Sequence, residues 1–268
     1  MEVNKIYNEN CLDTMSRMSD NFIDLTVTSP PYDNLRDYNG YSFDFENIAQ
    51  ELYRVTKIGG VIVWVVGDET KKFNESGSSF KQALYFKECG FNLLDTMIYL
   101  KSGYAPAYPT LRRYANQFEY MFIFSKGRPN TFNPIQVDKT ELTKKRQVNK
   151  MPSTFRQKDG TTIKKYTQNS NDKKNASNVW RIINGTNGHK DKIAFKHPAT
   201  FPEQLANDHI HSWSNEGDLV YDCFMGSGTT AKMSIINNRN WIGSELSKEY
   251  FNIANKRIKA HQSQLRLI

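Results

Sequence analysis

Apolar and polar positions along this chain follow two periods that take turns. "NFIDLTVTS" (21–29) is mostly apolar and β-branched, and reads as a buried strand. "FENIAQELYRVTKIGG" (45–60) carries apolar residues at helical spacing, and its closing glycine pair reads as a helix cap. "VIVWVV" (61–66) is a second strand, and "SSFKQALYFKECG" (78–90) a second helix with a glycine stop. "FNLLDTMIYLK" (91–101) and "FEYMFIFSKG" (118–127) are further strands. From Gly127 to about Phe195 the periodicity disappears, leaving isolated aromatics at Phe132, Phe155, Tyr166 and Trp180. Order then resumes. "FPEQLANDHIHSW" (201–213) is a helix with proline near its start, and "DLVYDCF" (218–224) a strand. "GSGTTAKMSIINN" (226–238) is a glycine turn running into a helix, and "NWIGSEL" (240–246) a strand. "SKEYFNIANKRIKAHQSQL" (247–265) reads as a helix with a basic last turn. Strands alternating with helices predict an α/β fold built on a doubly wound parallel sheet.

At 268 residues the chain can hold one substantial α/β core with an insertion. The start, "MEVNKIYNENCLD", lacks the apolar stretch of a secretory signal, and "VIVWVV" is too short to span a bilayer. Cys11, Cys89 and Cys223 lie far apart with no C-x-x-C spacing, so free thiols in a cytoplasmic protein are expected, without disulfides or a zinc site.

Charge changes the picture through its location. Residues Gly127–Phe195 hold 15 Lys/Arg against 5 Asp/Glu, while the rest of the chain holds 21 against 23. The whole excess of the +8 net charge therefore sits where the periodicity is lost. Such a segment is either a contact surface for a polyanion or a solvated lysine-rich loop.

Two short stretches carry chemistry. In "VYDCFMGSGTT" (220–230), Gly226 and Gly228 stand between a strand and a helix, where a bare backbone can approach a ligand and the helix start offers unpaired N–H groups. Glu245 follows at the end of the next strand, placed to accept hydrogen bonds from ribose hydroxyls. The phosphate-loop lysine is absent, and Ala231 stands where a dinucleotide fingerprint has its third glycine. A nucleoside without a pyrophosphate fits, and S-adenosyl-L-methionine is one. In "TSPPY" (28–32), Ser29 and the Pro30 carbonyl can accept hydrogen bonds from an amino group, Pro30 and Pro31 make the turn rigid, and Tyr32 can stack on a planar base. An aromatic amine is a poor nucleophile, so orienting it and localising its lone pair is useful catalytic work.

With these motifs in hand, the chain resembles the site-specific DNA amino-methyltransferases that act on N4 of cytosine or N6 of adenine. Having "TSPPY" first and "FMGSGTT" late resembles that family's permuted beta group. The resemblance implies a Rossmann-like methyltransferase sheet with circularly permuted motif order. It assigns 1–126 and 196–268 to the catalytic and cofactor-binding α/β domain, and 127–195 to target recognition. Catalysis falls to Ser29, Pro30, Pro31 and Tyr32. The cofactor's adenine falls to Asp13 and the Cys11 backbone in "NCLDTM". Its methionine end falls to "KHPATFPEQL", with His197, Phe201 and Pro202. Asp222, Phe224, Gly226, Ser227, Gly228, Thr229, Thr230 and Glu245 complete the cofactor set.

Double-stranded DNA is the partner implied. Arg36, Arg112, Arg113 and the cluster Lys144, Lys145 and Arg146 are the expected contacts; the tyrosine-rich stretch around Arg36 could equally be a self-packed lid. A homodimer and a cognate restriction endonuclease stay open. Cys223 replaces the family's usual proline, without harm expected to the glycine turn. Serine at position 29 favours N4-cytosine, with N6-adenine as the alternative. A C5-cytosine enzyme would need a Pro-Cys pair and a zinc deaminase a P-C-x-x-C element; neither is present. An RNA methyltransferase and an inactive DNA-binding relative are the remaining rivals.

Overall fold

A computed structural model describes residues 1–31, 43–103, 112–141, 143, 152–165, 172–188, 191, 193 and 201–265. The chain divides into two compact units, Met1–Asn133 with Asn178–Ile268, and Pro134–Ser177.

The large unit is built on an eight-stranded sheet. Its strands are β1 (Lys5–Tyr7), β2 (Ile23–Thr28), β3 (Thr56–Val66), β6 (Asn92–Lys101), β7 (Phe118–Ser125), β12 (Val179–Ile182), β13 (Leu219–Asp222) and β14 (Asn240–Ser244). Their order is β1-β14-β13-β2-β3-β7-β6-β12, and every pairing is parallel except those made by β7. The expected doubly wound parallel sheet is therefore present, with β7 as its one antiparallel strand. Six helices accompany it among the described residues: α1 (Cys11–Ser16), α2 (Phe45–Val55), α3 (Ser78–Glu88), α4 (Glu203–Trp213), α5 (Thr229–Ile236) and α6 (Lys248–Leu265).

Burial on both faces explains the unbroken apolar runs. In β3, Ile62, Trp64 and Val66 face a core completed by α1, α2 and α3, whereas Val61, Val63 and Val65 face one completed by α4 and Met233 of α5. The Trp64 indole N–H donates to Gln82 Oε1 at 2.8 Å. Burying this ring therefore leaves no donor unpaired, and the apolar gain of about 1.5–3 kcal/mol is kept. A third cluster under α6 joins Ile6, Met225, Ala231, Trp241, Ala254 and Ile258.

Sheet connectivity positions the site. From β13 the chain runs through α5 to β14 on one side; from β2 it runs through α2 to β3 on the other. Neighbouring strands β13 and β2 therefore mark the topological switch point, outside whose carboxyl ends α/β proteins bind ligands. At the amino ends, Asp24 holds the two strands together. It accepts from Leu219 N at 3.0 Å and from Lys57 Nζ at 2.8 Å.

Three expectations need correction. The glycine pair does not cap α2. That helix stops at Val55, because Thr56 is already extended, and Gly59 and Gly60 lie within β3. Gly60 has its own reason to be glycine: a Cβ there would come 2.9 Å from the Lys57 carbonyl oxygen. The end of α6 is not basic, since its last turn holds no Lys or Arg; Arg257 lies earlier and points into the protein. Finally, 127–195 is not without regular structure. Val179–Ile182 closes the main sheet against β6, and the separate unit is shorter, Pro134–Ser177.

That small unit holds two antiparallel pairs. β8 (Gln136–Asp138) pairs with β11 (Lys173–Asn175), and β9 (Ser153–Arg156) with β10 (Thr162–Lys165). Phe155 lies opposite Ile163 across the second pair. In the large unit, β4 (Thr70–Lys71) and β5 (Asn74–Glu75) form a further hairpin beyond the carboxyl end of β3.

Candidate active site

Two turns meet at the carboxyl ends of β2 and β13. The first begins at Ser29, directly after β2; Pro30 is buried, and Ser29 and Pro31 are half-buried. Tyr32, Arg36, Lys144, Lys145, Arg146 and His197 lie outside the described residues. The second turn begins at Asp222, the last residue of β13. Thr28 Oγ1 donates to Asp222 Oδ1 at 2.6 Å, so residues 194 apart in sequence bridge the two turns. The same oxygen accepts from Phe224 N at 3.0 Å. Asp222 is only 5 % exposed. Burial pushes its carboxyl above the ordinary value, against the hydrogen bonds from Thr28, Thr230 and Phe224 N.

Cys223 lies directly beneath this bridge. Its buried thiol approaches Thr28 Oγ1 at 3.6 Å, and burial raises it well above an ordinary thiol. Cys11 packs in the same core, its thiol pushed up to about 12 by burial. Both are inert thiols rather than nucleophiles. Asn10 caps α1, accepting from Leu12 N at 3.0 Å, and Asp13 stands exposed in the first helical turn.

The glycine turn has the left-handed backbone that the sequence suggests. Gly226 has φ 51° and Gly228 φ 81°. A Cβ on Gly228 would also come 3.1 Å from Ala254 Cβ, because α6 packs against the turn. A further glycine matters just as much. Gly243 in β14 lies under Met225, where a Cβ would come 3.2 Å from Met225 Cβ. An isolated glycine inside the strand pattern "NWIGSEL" was the available signal for this close approach.

Glu245 closes the far side. Its Oε2 accepts from Gly226 N and its Oε1 from Ser247 N, each at 2.8 Å. Burial pushes its carboxyl up to about 7, with the two main-chain donors opposing. Asn8, which sequence reasoning missed, donates to the Glu245 carbonyl at 2.8 Å, and Glu245 N donates to Tyr7 O at 3.0 Å. The end of β1 is thereby tied to the end of β14.

Beneath the turn lies a buried ionic cluster. Arg257, 2 % exposed, donates to Ser227 O at 3.1 Å and Thr229 Oγ1 at 2.8 Å. Its other nitrogens reach Glu203 Oε1 at 2.7 Å and Asp191 Oδ2 at 3.0 Å. Lys232 Nζ bonds the same two oxygens, at 2.7 Å to Glu203 and 2.6 Å to Asp191. Burial alone would raise the Asp191 carboxyl, but Lys232 and Arg257 bring it down to about 2. Glu203 opens α4 straight after its capping Pro202, where the helix dipole favours an anion. Phe201 packs against the core on that face. The cluster fastens the glycine turn to α4 and α6 together. Ser227 and Thr229 therefore turn their hydroxyls inward, and Thr230 Oγ1 lies 3.3 Å from Val27 O.

Of the four arginines expected at DNA, two lie among the described residues, and of these Arg112 is exposed with φ 48°. Arg113 donates to Thr70 Oγ1 at 2.7 Å and lies 3.8 Å from Glu75. Among the described residues, no helix is long and apolar enough to cross a membrane.

Comparison with known proteins places this geometry. The N6/N4 DNA methylase family model matches residues 23–256. The orphan methyltransferase M.BamHII of Bacillus amyloliquefaciens is 59% identical over 239 residues, 88% of this chain and 89% of that protein. Among solved structures, the PvuII DNA methyltransferase (cytosine-N4-specific) superposes with a TM-score of 0.69 at 18% identity, covering 97% of this chain and 91% of the other. A complex of M1.HpyAVI with SAM gives a TM-score of 0.62 at 22% identity, covering 95% and 98%. The chain belongs to the N6/N4 DNA methylase family and is a DNA amino-methyltransferase.

The ionic cluster yields a stability prediction. Arg257→Met takes one cation from the buried Glu203 and the half-buried Asp191 and removes the donors to the turn. It should cost about 3–5 kcal/mol of folding stability. A denaturant titration checks this; a loss below about 1 kcal/mol, as for an exposed pair, would contradict the role given to the cluster.

Proposed function

We propose that the chain transfers a methyl group from S-adenosyl-L-methionine to the exocyclic amino nitrogen of a base extruded from duplex DNA, with N4 of cytosine preferred. The Thr28–Asp222 hydrogen bond carries this reading, because it brings the amine-holding turn and the nucleoside-holding turn together at the switch point.

The residues suit the cofactor. Each Glu245 oxygen accepts one main-chain hydrogen bond and retains a lone pair for a ribose hydroxyl. Asp13 and the Cys11 backbone follow β1, which is tied to Glu245, and are assigned to the adenine. Phe224, which contacts Phe43 at 5.7 Å between ring centroids, is assigned to the apolar side of the cofactor. With Ser227 and Thr229 bonded inward, the turn offers a ligand its main-chain N–H groups. His197, Phe201 and Pro202 are assigned to the methionine end. SAM is named as the bound ligand of the M1.HpyAVI structure, whose fold this chain shares. When bound, the cofactor supplies a sulfonium methyl group open to attack by nitrogen.

At the other turn, Ser29 Oγ and the Pro30 carbonyl accept the amino hydrogens. They pull the nitrogen's lone pair out of conjugation and aim it at the methyl carbon. Pro30 and Pro31 fix the backbone so that this orientation costs little on binding. Tyr32 stacks on the extruded base, worth about 1–3 kcal/mol. The transferred methyl replaces an amino proton, which leaves the nitrogen after attack. Residues 134–177 lie within the basic stretch and are assigned to target recognition, with Lys144, Lys145 and Arg146 on phosphates.

Product analysis tests the reaction. DNA methylated by the protein and digested to nucleosides should give N4-methyl-2′-deoxycytidine, separated from its C5 isomer by chromatography before mass spectrometry. N6-methyladenine alone would reverse the choice of base, and no methylated base at all would overturn the activity.

Glu245 adds a pH dependence. Its ordinary carboxyl pKa of about 4.3 rises to about 7 in the fold. The neutral form is favoured there, so its contribution to stability is complete below the ordinary value and is lost as pH rises through 7. Ribose hydroxyls instead favour the ionised form. Cofactor binding should therefore tighten as pH rises from 6 to 8, with proton release detectable by calorimetry in two buffers. Glu245→Gln should bind more weakly and independently of pH; an unchanged pH profile in that variant would remove Glu245 from the ribose.

A further inference from the structure

The hairpin β4–β5 has a turn its sequence does not favour. Its two loop residues, Lys72 and Phe73, have φ 49° and 65°. A two-residue hairpin loop with both φ positive is a type I′ turn, which Asn-Gly and Asp-Gly suit and a bulky aromatic does not. The strained conformation holds the Phe73 ring out in water, 76% exposed. Burial of apolar surface therefore does not account for it.

The base of the hairpin is firmly fixed. Ser76 N donates to Glu69 O at 2.9 Å, and Asp68 accepts from Ser79 N at 2.9 Å and Ser76 Oγ at 3.1 Å. Arg113 braces the stem through Thr70. Behind Arg113 comes Tyr114, 97% exposed. Location adds the second observation. β3 runs parallel to β2 with Thr28 opposite Trp64, and β3 ends at Val66, two residues further on. The hairpin leaves from there, so it rises from the same edge of the sheet as the catalytic turn. Cations surround the tip: Lys71 and Arg113 have acidic neighbours in Glu69 and Glu75, while Lys72 and Arg112 stand exposed beside them.

We propose that Phe73 is a wedge for duplex DNA, entering the base stack beside the target nucleotide while Lys72 and Arg112 engage the flanking phosphates. An apolar side chain between base steps, with cations on the backbone, is a recurring way to open a stacked duplex. The ring fills part of the space the extruded base leaves and slows its return. The rigid turn supplies the reach, because a relaxed loop would let the ring fold back onto the protein. This inference rests on the proposed function, since it presupposes an extruded base.

Methyl transfer to a duplex substrate and to the same strand unpaired tests it, using wild type, Phe73→Ala and the double variant Lys72→Asn/Phe73→Gly. The double variant has a favoured type I′ sequence, so a misfolded hairpin cannot explain its behaviour. Both variants should lose about 10- to 100-fold in kcat/KM on duplex DNA, the size expected for one stacked ring. On the unpaired strand Phe73→Ala should match wild type, the double variant should lose only the share owed to the Lys72 phosphate contact, and cofactor affinity should not change in either. Phe73→Trp should retain duplex activity. Equal losses on both substrates, or none on duplex DNA, overturn the wedge and leave the proposed function standing. A wild type that methylates no DNA overturns the proposed function first, and the wedge with it. Altered self-association in Phe73→Ala without a duplex-specific loss would assign the ring to a protein contact, against the proposal.

Discussion

One hydrogen bond organises this molecule: Thr28 Oγ1 to Asp222 Oδ1, 2.6 Å, at the end of two neighbouring central strands. It lies where the sheet's connections diverge, so it is the floor of the switch-point crevice rather than one more core contact. Both partners are nearly inaccessible, and a buried carboxylate without its donors would be costly. That cost makes the register between β2 and β13 exact in a region where the chain itself provides no local connection. The turn after β2 and the turn after β13 then have fixed relative positions. The residues proposed to hold the amine follow the first, and the glycines proposed to meet the cofactor follow the second.

The remaining contacts hold each turn against this floor. Around the glycine turn, three structural constraints act on residues 225–229. Left-handed glycines set the path, Gly243 lets Met225 lie close over β14, and the Arg257 cluster binds the turn from below. Among the described residues the cluster sets two cations against two carboxylates, and one oxygen of each carboxylate serves both cations. Arrangements of this kind need not add net stability over a well-packed apolar core, but they impose a single geometry. A turn with the ligand role proposed above would gain from that restriction. The same logic applies in the opposite direction at Lys72 and Phe73, where a strained turn holds side chains away from the protein.

Much of this was legible in the sequence, for a physical reason. Parallel strands buried on both faces must be apolar at every position, which makes "VIVWVV" and "DLVYDCF" unmistakable. Glycine turns between strand and helix are legible because few residues tolerate left-handed backbone. Residues whose roles depend on distant partners were not legible. Nothing near Glu203 or Lys232 in sequence announces Arg257. The glycine pair at 59–60 was misread because a glycine after a helical pattern normally stops the helix, whereas here Thr56 had already done so. β1 and β12 were missed because short strands show too little period, and β12 lies inside a lysine-rich stretch. The turn at Ser29–Pro31 stood out in sequence by its residue types, while Thr28, which bonds Asp222, was read only as the end of a strand.

The most direct test of the account is a double-mutant cycle across the floor of the crevice, with Thr28→Val, Asp222→Asn and the pair together. Methyl-transfer rate and cofactor affinity should be measured for each. If this bond couples the two turns, either single change should lower both quantities, and the double variant should be little worse than the more damaging single. The coupling should then be about 1–3 kcal/mol. Additive losses, with Thr28→Val affecting transfer alone and Asp222→Asn affecting cofactor alone, would show that the turns are positioned independently and would contradict the account.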